Sequence, residues 1–324
     1  MKVVQWFTCF LLFFLIFPVV AQEQKTTIIT TTEVYSFSIK LSQTLKQISD
    51  AMGIEHQVRQ TIGVKNVSPR EVYFQAATLH TKTSRLMFEF TNEEAKNSDK
   101  MKVDAQPADV LALLQLAKGN LETVIEKLNL PPSNFIETFN QDITPAQVFQ
   151  TIVELNRRTN DLLDFRFSPA NVHQKITEAI TVAAAILESK KEAKSVFYPN
   201  AIERNIRPKD IYIKMVVMYD AMSPIMEKFG KKCLALEAYE TNRVDVLPSD
   251  VYDLAVMFVS QLRYMHSLIP EAKKIKNSYY PGKVISADVY QRLTILEKQM
   301  MEMMRVYHII MPTNDKKLSL KKAL

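Results

Sequence analysis

An all-α protein, a helical repeat array of eight helices of about 20 residues in two sets of four, is what this sequence predicts. Three observations lead there. The 324 residues hold only five glycines, too few for the turns of a strand-rich chain. One helix-opening phrase recurs along the chain, as in "VSPREVYFQA" at 67–76 and "LPSDVYDLAV" at 247–256. Each recurrence is followed by apolar residues at alternating spacings of three and four.

The phrase is readable copy by copy. Its first branched apolar residue serves as the anchor: Val34, Val72, Val110, Val148, Val172, Ile211, Val251 and Val289. The first copy has Thr30 as cap, Glu33 before the anchor and Ile29 as outer apolar partner. The second has Ser68, Pro69, Glu71 and Val67. The third has Pro107 and Asp109. The fourth has Thr144, Pro145, Gln147 and Ile143. The fifth has Ser168, Pro169, Asn171 and Phe167. The sixth and seventh have Pro208, Asp210 and Ile206, then Pro248, Asp250 and Val246. The eighth lacks the proline but keeps Asp288 and Val284. Proline suits the first helical position, where its missing N–H costs nothing and its φ is already helical. A polar residue at the third position closes a capping box, and an acid there suits the helix dipole. The outer apolar residue and the anchor form a hydrophobic staple.

Apolar columns follow each start. The sixth copy runs Ile211, Met215, Met218, Met222, Ile225, Phe229; the seventh runs Val251, Ala255, Phe258, Leu262, Met265, Ile269. The methionines on these columns read as core filler. The anchors fall at 34, 72, 110 and 148, then, after a gap of 24, at 172, 211, 251 and 289. That arrangement suggests a duplicated four-helix unit, with residues 22–166 as the first unit and 167–312 as the second. A helix-pair solenoid has a similar period, but only one helix per period is patterned here. The connectors, about 15 residues, are long for bundle loops. They suit a crossing back along a helix or a short helix of their own, for which "KKCLALEAYE" at 231–240 is a candidate. The short junction "LLDFRFSPANV" predicts an antiparallel hairpin of the fourth and fifth helices.

Residues 1–21 read as a signal peptide: Lys2, a short apolar run, and small residues at Val19 and Ala21. Cleavage after Ala21 would leave an exported chain, periplasmic or extracellular. It would carry a net charge of +5, one less than the +6 of the whole chain because only Lys2 is removed. Trp6 and Cys9 would be lost, and Cys233, the sole remaining thiol, could form no internal disulfide. No later segment is apolar enough to span a membrane, and residues 313–324 form a basic tail.

No motif for catalysis stands out. The five histidines are scattered, and no metal-ligand spacing, haem motif, nucleophile elbow or phosphate loop occurs. The reading is therefore a non-catalytic protein with no cofactor and no metal. The residue after the anchor is a tyrosine in five copies, and Tyr73, Tyr212, Tyr252 and Tyr290 are the candidate ligand-binding residues. Packing of each ring on its connector competes with that reading. Two function classes remain. One is an exported scaffold or adaptor that binds a protein partner. The other is a small-ligand sensor or carrier with a pocket between helices. Charges are interspersed, which points away from nucleic acid.

Overall fold

The computed structural model describes residues 28–309 except 57–60, 96–101, 103, 133–141, 165, 237–245, 271 and 277–281. The signal peptide and the basic tail lie outside the described residues.

All eight repeated phrases start helices. They are α1 (Thr31–Met52), α2 (Pro69–Thr91), α3 (Pro107–Lys127), α4 (Pro145–Leu162), α5 (Pro169–Leu187), α6 (Pro208–Asp220) with its continuation α7 (Ser223–Lys228), α8 (Pro248–Ser267) and α9 (Ser286–Val306). Two short strands, β1 (Val64–Lys65) and β2 (Ala235–Leu236), pair antiparallel. One half of the capping box is realised at every start. The third-position side chains of Glu33, Glu71, Asp109, Gln147, Asn171, Asp210, Asp250 and Asp288 each accept the backbone N–H of the N-cap residue, at 2.6–3.0 Å. Thr30 and Thr144 return the bond through their hydroxyls.

The helices of the first half run in one direction. Thr31, Val34, Pro69, Val72, Pro107, Val110, Pro145 and Val148 surround a small apolar space, so the starts of α1 to α4 meet at one end. Bonds farther along agree. Arg158 of α4 donates to Ser42 of α1 at 3.3 Å, and Asn120 of α3 donates to Thr83 of α2 at 3.2 Å, each pair at similar depth. Four parallel helix dipoles repel one another side by side, and the carboxylates of Glu33, Glu71 and Asp109 at their positive ends offset that repulsion.

Parallel neighbours explain the long connectors. A helix of 22 residues such as α1 is about 33 Å long, and the chain needs about ten extended residues to return to its start. Residues 163–168 are too few for such a return along α4, so α5 begins near the end of α4 and runs the other way. The expected hairpin direction holds, but its packing does not. α5 lies against α8 and α9 rather than back along α4.

Each of α1 and α2 packs against α3 and α4. Each of α5 and α6 packs against α8 and α9. The two groups meet where α2 and α4 touch α8, and their buried apolar residues form one continuous core. Met215, Met218, Met222, Met226, Met300 and Met303 lie in that core.

Two other expectations need correction. The sixth helix is not continuous to Phe229. Pro224 has no N–H and its ring would clash with the carbonyl of Asp220, so the helix stops there and restarts as α7. The segment at 231–240 is not a helix where it is described. Ala235 and Leu236 instead pair with Lys65 and Val64.

Candidate functional site

Two side grooves of similar size, one in each half, are candidate sites. Both lie between the first and last helices of their group, and in both an extended connector runs antiparallel to the last helix.

In the first half the groove lies between α1 and α4 and encloses about 400 Å³, lined by Tyr35, Ser42, Thr61, Ile62, Gln147, Glu154 and Arg157 among others. Its connector is pinned to α4. His56 Nδ1 lies 2.9 Å from Asp161 and Nε2 lies 2.5 Å from Glu154, while Gln150 donates to the Ile62 carbonyl at 3.2 Å. Beyond Arg158 the surface opens into a wider cleft of about 650 Å³ with Lys46, Asp50 and His56 on its walls. Its cations have acidic neighbours: Arg157 faces Asp250 at 3.6 Å, Arg158 reaches Glu154 at 3.4 Å and Lys46 pairs with Asp50 at 2.6 Å.

In the second half the groove lies between α5 and α9 and encloses about 390 Å³. The connector between α5 and α6 straps along α9. Arg305 donates to the Glu192 carbonyl at 2.9 Å, Glu302 accepts the Lys194 N–H at 2.8 Å, and Gln299 donates to the Ser195 carbonyl at 2.9 Å. Lys298 donates to the Tyr198 carbonyl at 2.8 Å, Thr294 accepts the Asn200 N–H at 3.0 Å, and Gln291 donates to the Asn200 carbonyl at 2.9 Å. Along the strap exposure alternates. Ala193, Ser195 and Phe197 turn inward, while Lys194, Val196 and Tyr198 turn out. Hydrogen bonds from Arg305 and Lys194 hold the Glu302 carboxyl down at about 2.

Between the halves runs a buried polar seam. Near the start of α2, Gln261 of α8 donates to Glu71 at 2.8 Å and accepts from Arg70 at 3.2 Å, and the Arg70 guanidinium covers the Tyr264 ring at 3.7 Å. Farther along α2, the fully buried Lys82 bonds both carboxylate oxygens of Asp253, at 2.8 and 3.1 Å. Burial pushes the Asp253 carboxyl up, and Lys82 opposes that rise. These pairs fix α2 antiparallel to α8 and set their register. A slip of one turn would leave Lys82 buried without its carboxylate, at a cost of several kcal/mol.

The four tyrosines do not line either groove. Tyr73 is buried on α2, edge-on to Phe74 at 5.9 Å, and Tyr212 is buried on α6. Tyr252 stacks at 4.4 Å on Phe167 in the connector entering α5, and Tyr290 lies under the Lys214 ammonium at 5.0 Å. Tyr35, at the same repeated position of α1, does line the first groove. Sequence reading missed His56, Glu154, Arg157 and Arg292. None sits in a motif, and each matters through neighbours distant in the chain.

Among the described residues no three metal-ligating side chains gather, and no helix is long and apolar enough to cross a membrane. Burial pushes the Cys233 thiol up to about 12, so it stays protonated at neutral pH and presents no thiolate. No protein-family model, no curated protein and no solved structure matches the chain.

Proposed function

We propose that this protein is an exported, non-catalytic scaffold that binds a protein partner through the strapped face of its second half. The observation that carries the reading is the strap. Val196 and Tyr198 are 69% and 83% exposed on a segment whose backbone is held by six hydrogen bonds, Ile202 just beyond it is 56% exposed, and Met301 of the underlying α9 is 61% exposed. Large apolar side chains held rigid in water lose little conformational entropy on binding, which favours a docking role over a solvated loop. Lys191, Lys194 and Lys298 beside them suit an acidic segment with apolar side chains.

The same reading takes the two groups of four helices as products of one duplication. Support comes from the matching neighbour pattern, first and second helices each against third and fourth, and from the matching place of the strapped groove. On this view the halves meet 22–166 against 167–312, and the signal peptide of residues 1–21 delivers the chain to the periplasm or beyond.

The test is a photo-crosslinking residue placed at Tyr198 in the exported protein. A single acidic partner should be captured there, and the triple variant Val196→Ser, Tyr198→Ser, Ile202→Ser should lose it while melting normally. Capture that survives the triple variant, or no capture at all, would refute the reading. A second reading, a small-ligand carrier, is favoured by one observation: the groove under the strap holds Arg292, for which no carboxylate lies within ion-pair distance among the described residues.

A further inference from the structure

The α5/α9 groove differs from the α1/α4 groove in its charges. In the first groove the arginines face Asp250 and Glu154. In the second, Arg292 rises from α9 into a half-buried site, where its Nε donates to Thr177 Oγ1 at 3.2 Å. Among the described residues no carboxylate lies within ion-pair distance of it. Asp288, one turn earlier, is engaged in capping α9 through the Ile285 N–H at 2.9 Å. Burial depresses the Arg292 pKa. Lys274 and Lys276, on the connector that follows α8, line the same groove. Among the described residues the one acid on its wall, Glu188, lies at the C-terminal end of α5, eleven residues and about 16 Å beyond Thr177.

Apart from Thr181, Ser195 and Gln299, the rest of the wall is apolar. Ile180, Ala184, Phe197 and Ile295 form a trough leading away from Arg292, and the small Ala184 leaves it open. A volume of about 390 Å³ falls within the range of small-ligand sites. A half-buried guanidinium without a counter-charge costs stability in an empty protein, and an anion bonded to it would recover that cost.

We propose that the α5/α9 groove binds a free anionic amphiphile, with its carboxylate or equivalent acid head on Arg292, flanked by Lys274 and Lys276, and its apolar tail along Ala184, Phe197 and Ile295. This rests on the carrier reading and not on the docking role of Tyr198.

The probe is decanoate, titrated by calorimetry into the mature protein, with decanol and with vesicles of equimolar phosphatidylglycerol and phosphatidylcholine as separate arms. Decanoate should bind well above decanol. Arg292→Gln should weaken decanoate about tenfold or more and leave decanol unchanged, because the lost bond is to a charged head. Arg292→Gln should also melt no lower than the natural protein without ligand, since it removes an uncompensated charge. Should that variant fold poorly, Ala184→Phe, which fills the trough and keeps Arg292, should abolish decanoate binding. Equal binding of decanoate and decanol, an unchanged decanoate affinity in Arg292→Gln or Ala184→Phe, or binding to the vesicles only would each overturn the proposal. The Tyr198 crosslink should persist in Arg292→Gln, so failure here and failure of the docking surface are distinguishable.

Discussion

At Lys82 a charge sits in a fully buried place between two helical groups, bonded to Asp253 and to the Asn156 carbonyl. Its sequence neighbours give no warning. Lys82 falls between the apolar columns of α2, where a lysine normally faces water. The partner that permits its burial lies 171 residues away. Lys82→Met should cost about 3–5 kcal/mol in denaturant unfolding, because Asp253 is left buried and unpaired. Lys82→Met combined with Asp253→Leu should recover most of that loss. Additive losses would mean that the two side chains are not coupled. The repeated tyrosines were visible in the sequence, and so were two roles for them, ring packing and a ligand site. Tyr252 stacks on Phe167, the outer staple residue of α5, so its ring is packing material. Tyr252→Phe should leave the melting curve nearly unchanged, and Tyr252→Ala should cost about 3 kcal/mol or more.

At the scale of elements, the helix starts were legible because capping is local. Every acceptor lies three residues from its donor, so a single sequence carries the whole device. The break in the sixth helix was equally local, written in Pro224, yet unbroken apolar columns outweighed it in the sequence reading. Buried Met222, Ile225 and Met226 show why: α7 keeps the buried face across the break. The strap was not legible, since its bonds join side chains of α9 to carbonyls about 100 residues earlier. Its acid dependence follows from Glu302. That carboxyl is held at about 2, below its unfolded value, so its contribution is complete above the ordinary glutamate range. It is lost as pH falls from there towards about 2. Hydrogen exchange at the Lys194 amide should therefore quicken, relative to the helix cores, as pH falls through that window. Glu302→Gln should show fast exchange there at neutral pH as well. Equal protection in both proteins would exclude Glu302 as the clasp.

For the whole molecule, the anchor spacing was compatible with parallel helices but did not fix their direction. Connectors of about 15 residues are wasteful between antiparallel helices and about right for returning along a parallel one. The single short junction at 163–168 marks the one place where the direction must reverse. What the spacing did not contain was which helices touch, because that depends on the seam of Arg70, Glu71, Lys82, Asp253 and Gln261. Parallel packing of α1 to α4 is the claim on which the first groove and the account of the long connectors depend. It is tested by the distance between spin labels at Phe88→Cys, near the end of α2, and Ala108→Cys, at the start of α3. Both natural residues are exposed, and the buried, protonated Cys233 would not compete for label. Parallel packing predicts a backbone separation of about 28 Å, the axial length between those positions. A separation near 10 Å, the spacing of antiparallel neighbours joined by a loop, would contradict the fold and everything drawn from it.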